Sequence, residues 1–173
     1  MKLIRFGEPG AEKPGVLLND QTRLDVSTFV SDYDEEFFGS GGLARLRQRL
    51  MNGHVTMLRR VSPEERLGPP IRRPSKIVCV GLNYRDHAAE SSMQLPSEPV
   101  LFFKATSSLV GPNDALVIPR GAEKVDWEVE LAVIIEKRPG MFRENKPANL
   151  SPVMLFTTTI PNEAFSWRGA VSG

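Results

Sequence analysis

The sequence predicts a mixed α+β protein that is mainly β, on three observations. Short apolar runs alternate with Gly, Pro, Asn and Asp punctuation, the pattern of strands joined by turns. Only one stretch, from about Leu43 to Arg60, carries a clear helical period. A proline- and arginine-rich segment, GPPIRRPSK (residues 68–76), then divides the chain. These features place a small amino-terminal β domain over residues 1–70 and a second, incomplete domain over 71–138. Residues 139–173 read as an aberrant, disordered tail.

Taken in order, KLIRF (2–6), GVLLN (15–19) and TRLDVS (22–27) are short strands of the first domain. Ser62-Pro-Glu-Glu65 resembles a capping box with proline at the first helical position. Beyond the linker, KIVCVGL (76–82) is a continuous apolar run, as expected of a strand buried on both faces. NYRDHAAES reads as a loop entering a helical turn. PVLFFKA (99–105) and ALVIP (115–119) are further strands, with GPND (111–114) as a turn. DWEVELAVIIEKR closes the patterned part of the chain. No repeat or low-complexity tract is present.

Bulk properties narrow the classes of function. The chain has 173 residues, 40% of them hydrophobic, with a net charge of +1. Its 22 basic residues are scattered rather than striped, which argues against a nucleic-acid partner. The lone cysteine, Cys79, sits inside KIVCVG and excludes a disulfide framework. No apolar run approaches the roughly 18 residues needed to span a bilayer, and MKLIRFGEPG does not read as a signal peptide. The expectation is a soluble, cytoplasmic protein with no membrane partner.

The chemistry concentrates in two places. In DWEVELAVII (126–135), a strand puts Asp126, Glu128, Glu130, Ala132 and Ile134 on one face, and Trp127, Val129, Leu131, Val133 and Ile135 on the other. Carboxylates two positions apart on one face lie roughly 7 Å apart along the strand. If that face is solvated, the spacing carries no chemistry. If it is buried, the like charges need a cation or protonation, and such hard oxygen donors suit Mg²⁺, Mn²⁺ or Ca²⁺ rather than zinc.

The second place is NYRDHAAE (83–90). On a helical turn His87 and Glu90 are neighbours three apart, so they form either a general base near neutral pH or an ordinary surface pair. Lys104, at the end of VLFFK, is a candidate partner for a substrate carboxylate, or simply a lysine reaching out from a strand end.

Together these residues resemble the fumarylacetoacetate hydrolase family. The resemblance rests on KIVCVGLNYRDHAAE followed by PSEPVLFFKATSSLVGPNDALVIPRGAEKVDWEVELAVII. The front end, MKLIRFGEPGAEKPGVLLNDQTRLDVS, is similar to the small amino-terminal domain of the branch containing diketo-deoxy-sugar-acid hydrolases and ureidoglycolate lyases. The resemblance implies the first part of a β-roll catalytic fold. It also implies a divalent metal, usually Mg²⁺ or Mn²⁺ with Ca²⁺ as a further candidate, and cleavage of a carbon–carbon bond in a 2,4-diketo acid. Some relatives decarboxylate or isomerise instead.

Carried over residue by residue, the resemblance makes Glu128 and Glu130 metal ligands. It makes His87 and Glu90 the catalytic pair that orients or deprotonates water. Its implied partner is a small keto acid. Intact relatives are homodimers, but this chain lacks material that could form that contact.

The resemblance breaks near residues 158–160. The family's third ligand, an aspartate, is due there, and this chain reads TTTIPN; its last aspartate is Asp126. Permitted synonymous codons for Phe156–Gly173, read from the third base, can spell YNDDTKRSIQLERGSEW, which resembles what the family carries next. One hypothesis is therefore that a one-base frameshift, natural or from a sequencing error, produced the tail. The gene sequence across codons 136–173 tests it, because the shifted frame must encode that peptide. Three functions remain open: a metal-dependent hydrolase or lyase, an inactive truncated remnant, and a module that binds a small acid without turnover. Metal binding and product formation separate them.

Overall fold

The computed structural model describes residues 1–18, 22–90, 92, 94–123, 125, 128–135 and 152–159. For residues 54, 87, 90, 128, 129 and 152–159 it describes the backbone alone. The chain forms two compact units, Met1–Arg72 with Gly111–Gly173, and Arg73–Val110.

The first unit is built on a four-stranded antiparallel meander in the order β1 (Lys2–Phe6), β2 (Lys13–Leu17), β3 (Arg23–Asp25) and β4 (Arg60–Val61). β2 begins two residues earlier than GVLLN suggests. Pro14 pairs with Arg5, and its carbonyl accepts from the Val26 N–H at 3.1 Å, so the strand tolerates a residue that has no donor of its own.

α1 (Glu35–Gly39) is too short to show a period in the sequence. It forms because Asp34 caps it, its carboxylate accepting from the Phe37 N–H at 2.9 Å, and because Glu35 and Glu36 suit the positive end of the helix dipole. α2 (Gly42–Met51) is shorter than the periodic stretch 43–60. Gly53, with φ of 86°, turns the chain into the left-handed region and ends it, and a 3-10 turn at His54–Met57 and then β4 follow.

Ser62-Pro-Glu-Glu65 starts no helix. It closes a turn in which the Glu65 N–H donates to the Ser62 carbonyl at 3.1 Å. The reason lies just beyond, where residues 66–68 run along the free edge of β1. Gly7 N–H donates to Arg66 O at 3.0 Å, and Gly68 N–H to Arg5 O at 2.9 Å. An otherwise open edge is thereby covered.

The core of this unit gathers Val16, Leu24, Val26, Tyr33, Phe37, Phe38, Leu46 and Leu50. Tyr33 is fully buried, its hydroxyl donating to the Gly15 carbonyl at 2.7 Å, and burial pushes its ionisation upward. Arg5 is buried beside Asp32, with Nε to Oδ1 at 2.7 Å and a second bond to Oδ2 at 3.0 Å. This bidentate geometry is what makes a buried pair of charges tolerable.

A second clasp ties residues 111–114 to the meander. Arg66 donates to both oxygens of Asp114, at 2.7 and 2.6 Å, and also to Gly7 O and Glu12. Asp114 further accepts from the Gly111 N–H at 2.7 Å. Gly111 approaches so closely that a Cβ there would clash with the Leu67 carbonyl oxygen. The expected turn at GPND is therefore present, and this packing holds it.

The same unit contains β7 (Glu128–Ile135), paired antiparallel with β8 (Pro152–Thr159). Between clasp and strand, ALVIP does not form the expected strand. Leu116, Val117 and Ile118 are exposed, and no ladder partner stands beside them among the described residues.

The second unit holds β5 (Ile77–Gly81), α3 (Arg85–Glu90) and β6 (Val100–Lys104). β5 and β6 form a two-stranded antiparallel sheet. Burial of KIVCVGL on both faces is not observed: Val78 and Val80 are 49% and 42% exposed. A strand needs a layer on each side to be buried twice, and no third strand pairs with this sheet among the described residues.

Candidate functional site

The strand carrying the paired glutamates has the predicted alternation. Glu130, Ala132 and Ile134 are half-buried, whereas Leu131, Val133 and Ile135 are exposed. Ile134 packs against the core of the first unit. The inward side of β7 is thus the side that bears Glu130, the reverse of a simple amphipathic strand. Glu128 begins β7 two positions before Glu130 and so belongs to the same face; its side chain lies outside the described set, as does all of Asp126.

Glu130 has no hydrogen-bond or ion-pair partner among the described residues. Across the ladder, Glu128 faces Thr159 and Glu130 faces Thr157. The region where the resemblance calls for a third carboxylate therefore pairs with the glutamates in register, but carries threonine.

α3 brings His87 and Glu90 one turn apart along a single short helix. Its first turn is anchored by the Ala88 N–H donating to Tyr84 O at 3.2 Å, and Ala88 is buried. The side chains of His87 and Glu90 are outside the described set. Leu82, between β5 and α3, has φ of 51°, an uncommon conformation for a branched residue. Such strain tends to collect at functional turns, and nothing in the amino-acid pattern announced it. Lys104 ends β6 opposite Ile77, half-buried and already engaged in an interaction. His87, Glu90 and Lys104 belong to the unit Arg73–Val110, and the glutamates to the other. Among the described residues no three His, Cys, Asp or Glu side chains cluster as a metal site.

The sequence model of the fumarylacetoacetate hydrolase C-terminal domain matches residues 76–159, which include both constellations. Residues 76–159 belong to the fumarylacetoacetate hydrolase family. Curated relatives of the chain agree. A Burkholderia multivorans protein, named only as an unconfirmed hydrolase, is 49% identical over 135 residues, covering 78% of this chain and 46% of its own length. A similarly named Burkholderia cenocepacia protein is 48% identical over the same share.

Among solved structures, the fumarylacetoacetate hydrolase from Exiguobacterium antarcticum is 32% identical with a TM-score of 0.56, covering 79% of this chain and 47% of its own. A "probable" 2-hydroxyhepta-2,4-diene-1,7-dioate isomerase from Mycobacterium abscessus is 28% identical with a TM-score of 0.55, covering 81% and 44%. The fold is thus that of the hydrolases and isomerases of the fumarylacetoacetate hydrolase family, mixed and mainly β. The chain spans about half the length of the curated relatives it matches. No helix among the described residues is long and apolar enough to cross a membrane.

Proposed function

We propose that this chain carries part of a divalent-metal-dependent hydrolase or lyase that cleaves a carbon–carbon bond in a 2,4-diketo acid, acylpyruvate-like or sugar-derived. The observation that carries this reading is the inversion of β7: its acid-bearing face is the half-buried one, and Glu130 there has no cationic partner among the described residues. Family membership supports it, because members generally depend on a divalent metal.

The donor chemistry fits such an ion in kind. Glu128 and Glu130 offer hard oxygens suited to Mg²⁺, Mn²⁺ or Ca²⁺. Those two residues would hold it, and when bound it would supply charge for the 2-keto acid oxygens and the departing enolate. The chain's own residues do the rest. Glu90 orients the His87 imidazole, and His87 accepts a proton from water at its free ring nitrogen. Lys104 supplies a positive charge for the substrate carboxylate. The partner in this reading is a small keto acid, with no nucleic acid or membrane, and the setting is cytoplasmic.

A titration of the chain with Mn²⁺, followed by electron paramagnetic resonance, tests the proposal. Micromolar binding that is lost in Glu130→Gln supports it; no binding in the parent chain overturns it. A second reading has an observation of its own. The apolar face of β7 and most of β5–β6 are exposed, as expected of an inactive chain whose sheets carry no packed catalytic layer among the described residues. In that case the chain binds no metal and forms no product from any diketo acid.

A further inference from the structure

The proline- and arginine-rich segment, where the first unit gives way to the second, is a motif that the proposed chemistry leaves unused. It reads Arg72-Arg73-Pro74-Ser75, a hydroxyl with guanidinium groups three and two positions before it. Arg72, Arg73, Ser75 and Lys76 are exposed, and residues 72–76 belong to no helix or strand. Pro74 biases Arg73 toward an extended backbone. An exposed, irregular segment can be drawn into the cleft of a modifying enzyme, and a cleft lined with carboxylates selects it by charge. The surroundings of Ser75 are equally particular. Two residues before it, Arg73 Nε donates to Thr106 Oγ1 at 2.9 Å, just past β6. Arg73 makes no ion pair among the described residues, so a neutral hydroxyl is all that answers its charge. Two residues after Ser75, Ile77 opens β5 opposite Lys104. Ser75 therefore lies between two anchors to the stretch 104–106, at most roughly 7 Å of backbone from either. Ser75 and Lys104 are both already engaged in interactions.

We infer that Ser75 is a phosphorylation site for a serine kinase that selects arginine three and two positions upstream, and that Arg73 and Lys104 hold the phosphate once it is attached. In the transfer the Ser75 Oγ–P bond forms and the bond from the γ-phosphorus of a nucleoside triphosphate to its bridging oxygen breaks. The nucleoside diphosphate leaves, and the hydroxyl proton passes to the kinase's base. The product carries nearly two negative charges and three acceptor oxygens where a neutral hydroxyl stood. Arginine meets such a group with two parallel hydrogen bonds, and lysine meets it as a point charge. Either contact is stronger than the neutral bond from Arg73 to Thr106, so Arg73 exchanges that bond for the phosphate. One consequence rests on the reading of Lys104 given above: a phosphate there answers the charge meant for a substrate carboxylate, and so opposes substrate binding. The modification itself rests only on the segment 72–76 and the end of the β5–β6 ladder.

The test incubates the full chain with an arginine-directed serine kinase and magnesium ATP, and mass spectrometry reads the site of incorporation. Phosphate at Ser75 is expected, absent in Ser75→Ala and slowed roughly tenfold in Arg72→Gln. Phosphorus NMR then follows the second ionisation of the phosphoserine, which lies at about 6 when unperturbed. Flanking cations favour the dianion, so in the parent chain it should titrate lower by roughly 0.5 or more. The value should return toward the unperturbed one in Lys104→Met and in Arg73→Met, and stay low in Lys104→Arg, which keeps the charge. No incorporation at Ser75, or incorporation that Arg72→Gln does not slow, overturns the proposal. So does a phosphoserine that titrates at its unperturbed value in the parent chain, or one that neither methionine variant shifts. Both readouts are taken without divalent-metal binding by the chain or any keto acid, so failure here is distinct from failure of the metal titration.

Discussion

Glu130 and Arg5 show two ways in which a charge survives partial or full burial. Arg5 has its answer inside the chain, since both oxygens of Asp32 accept from the Nε–Nη2 edge of the guanidinium. Replacing it by methionine fills much of the same space but removes the bidentate partner of buried Asp32, leaving only the exposed Arg72 at 3.9 Å. Loss of about 3–5 kcal/mol is expected for Arg5→Met, measured by urea unfolding of the first unit in the full chain. Glu130 has no such partner among the described residues, and in the proposed reading its counter-charge is a divalent cation taken from solution. Glu130→Gln should lower Mn²⁺ affinity by more than about tenfold while leaving the unfolding midpoint nearly unchanged. A large fall in stability with unaltered metal affinity would mark Glu130 as purely structural.

Between residues and whole, the elements are held by short-range devices that the amino-acid pattern conveys unevenly. The Arg66–Asp114 clasp joins a turn to a strand edge across 48 positions. The hydrogen bond from Arg66, helped by the Gly111 N–H and opposed by burial, holds the Asp114 carboxyl below the usual carboxylate range. A depressed folded-state value means that the clasp contributes stability fully present above the unfolded carboxylate range, near about 3.9, and lost as the pH falls through the folded value. Both side chains are partly solvated, so screening reduces the effect. Asp114→Asn should therefore melt below the parent at pH 7, with the gap closing toward pH 3 and narrowing in high salt. A gap independent of pH would remove the charge from the explanation. The clasp was not legible in advance, because Asp114 reads only as a turn residue in GPND. β1, β3, β5, β6 and β7 were legible, since alternation or a continuous apolar run sets each of them locally. ALVIP misled for the converse reason: its composition suits a strand, but a strand also needs a neighbour to pair with.

At the scale of the whole molecule, a well-packed meander is joined to a family segment that keeps its apolar faces outward. Uneven packing implies uneven opening. Amide exchange in β1, β2 and α2 should track global unfolding, while β5 and β6 exchange through local opening at much faster rates. Uniform protection across both units would contradict the division. The reading frame belongs to this scale too. The gene should encode YNDDTKRSIQLERGSEW one base out of register across codons 156–173, and a nucleotide sequence lacking it would dispose of the frameshift.

Sequence alone determined which residues share a face. The two-residue period of a strand put Glu128, Glu130, Ala132 and Ile134 together, and the spacing in N-Y-x-D-H-x-x-E put His87 and Glu90 on one helical turn. Those relations are local, fixed by backbone geometry within a few residues, and so they survive without knowledge of the rest. Which face turns inward is not local. Only the packing of Ile134 against a core assembled from residues 16–50 decided that Glu130, and not Leu131, Val133 and Ile135, lies on the half-buried side.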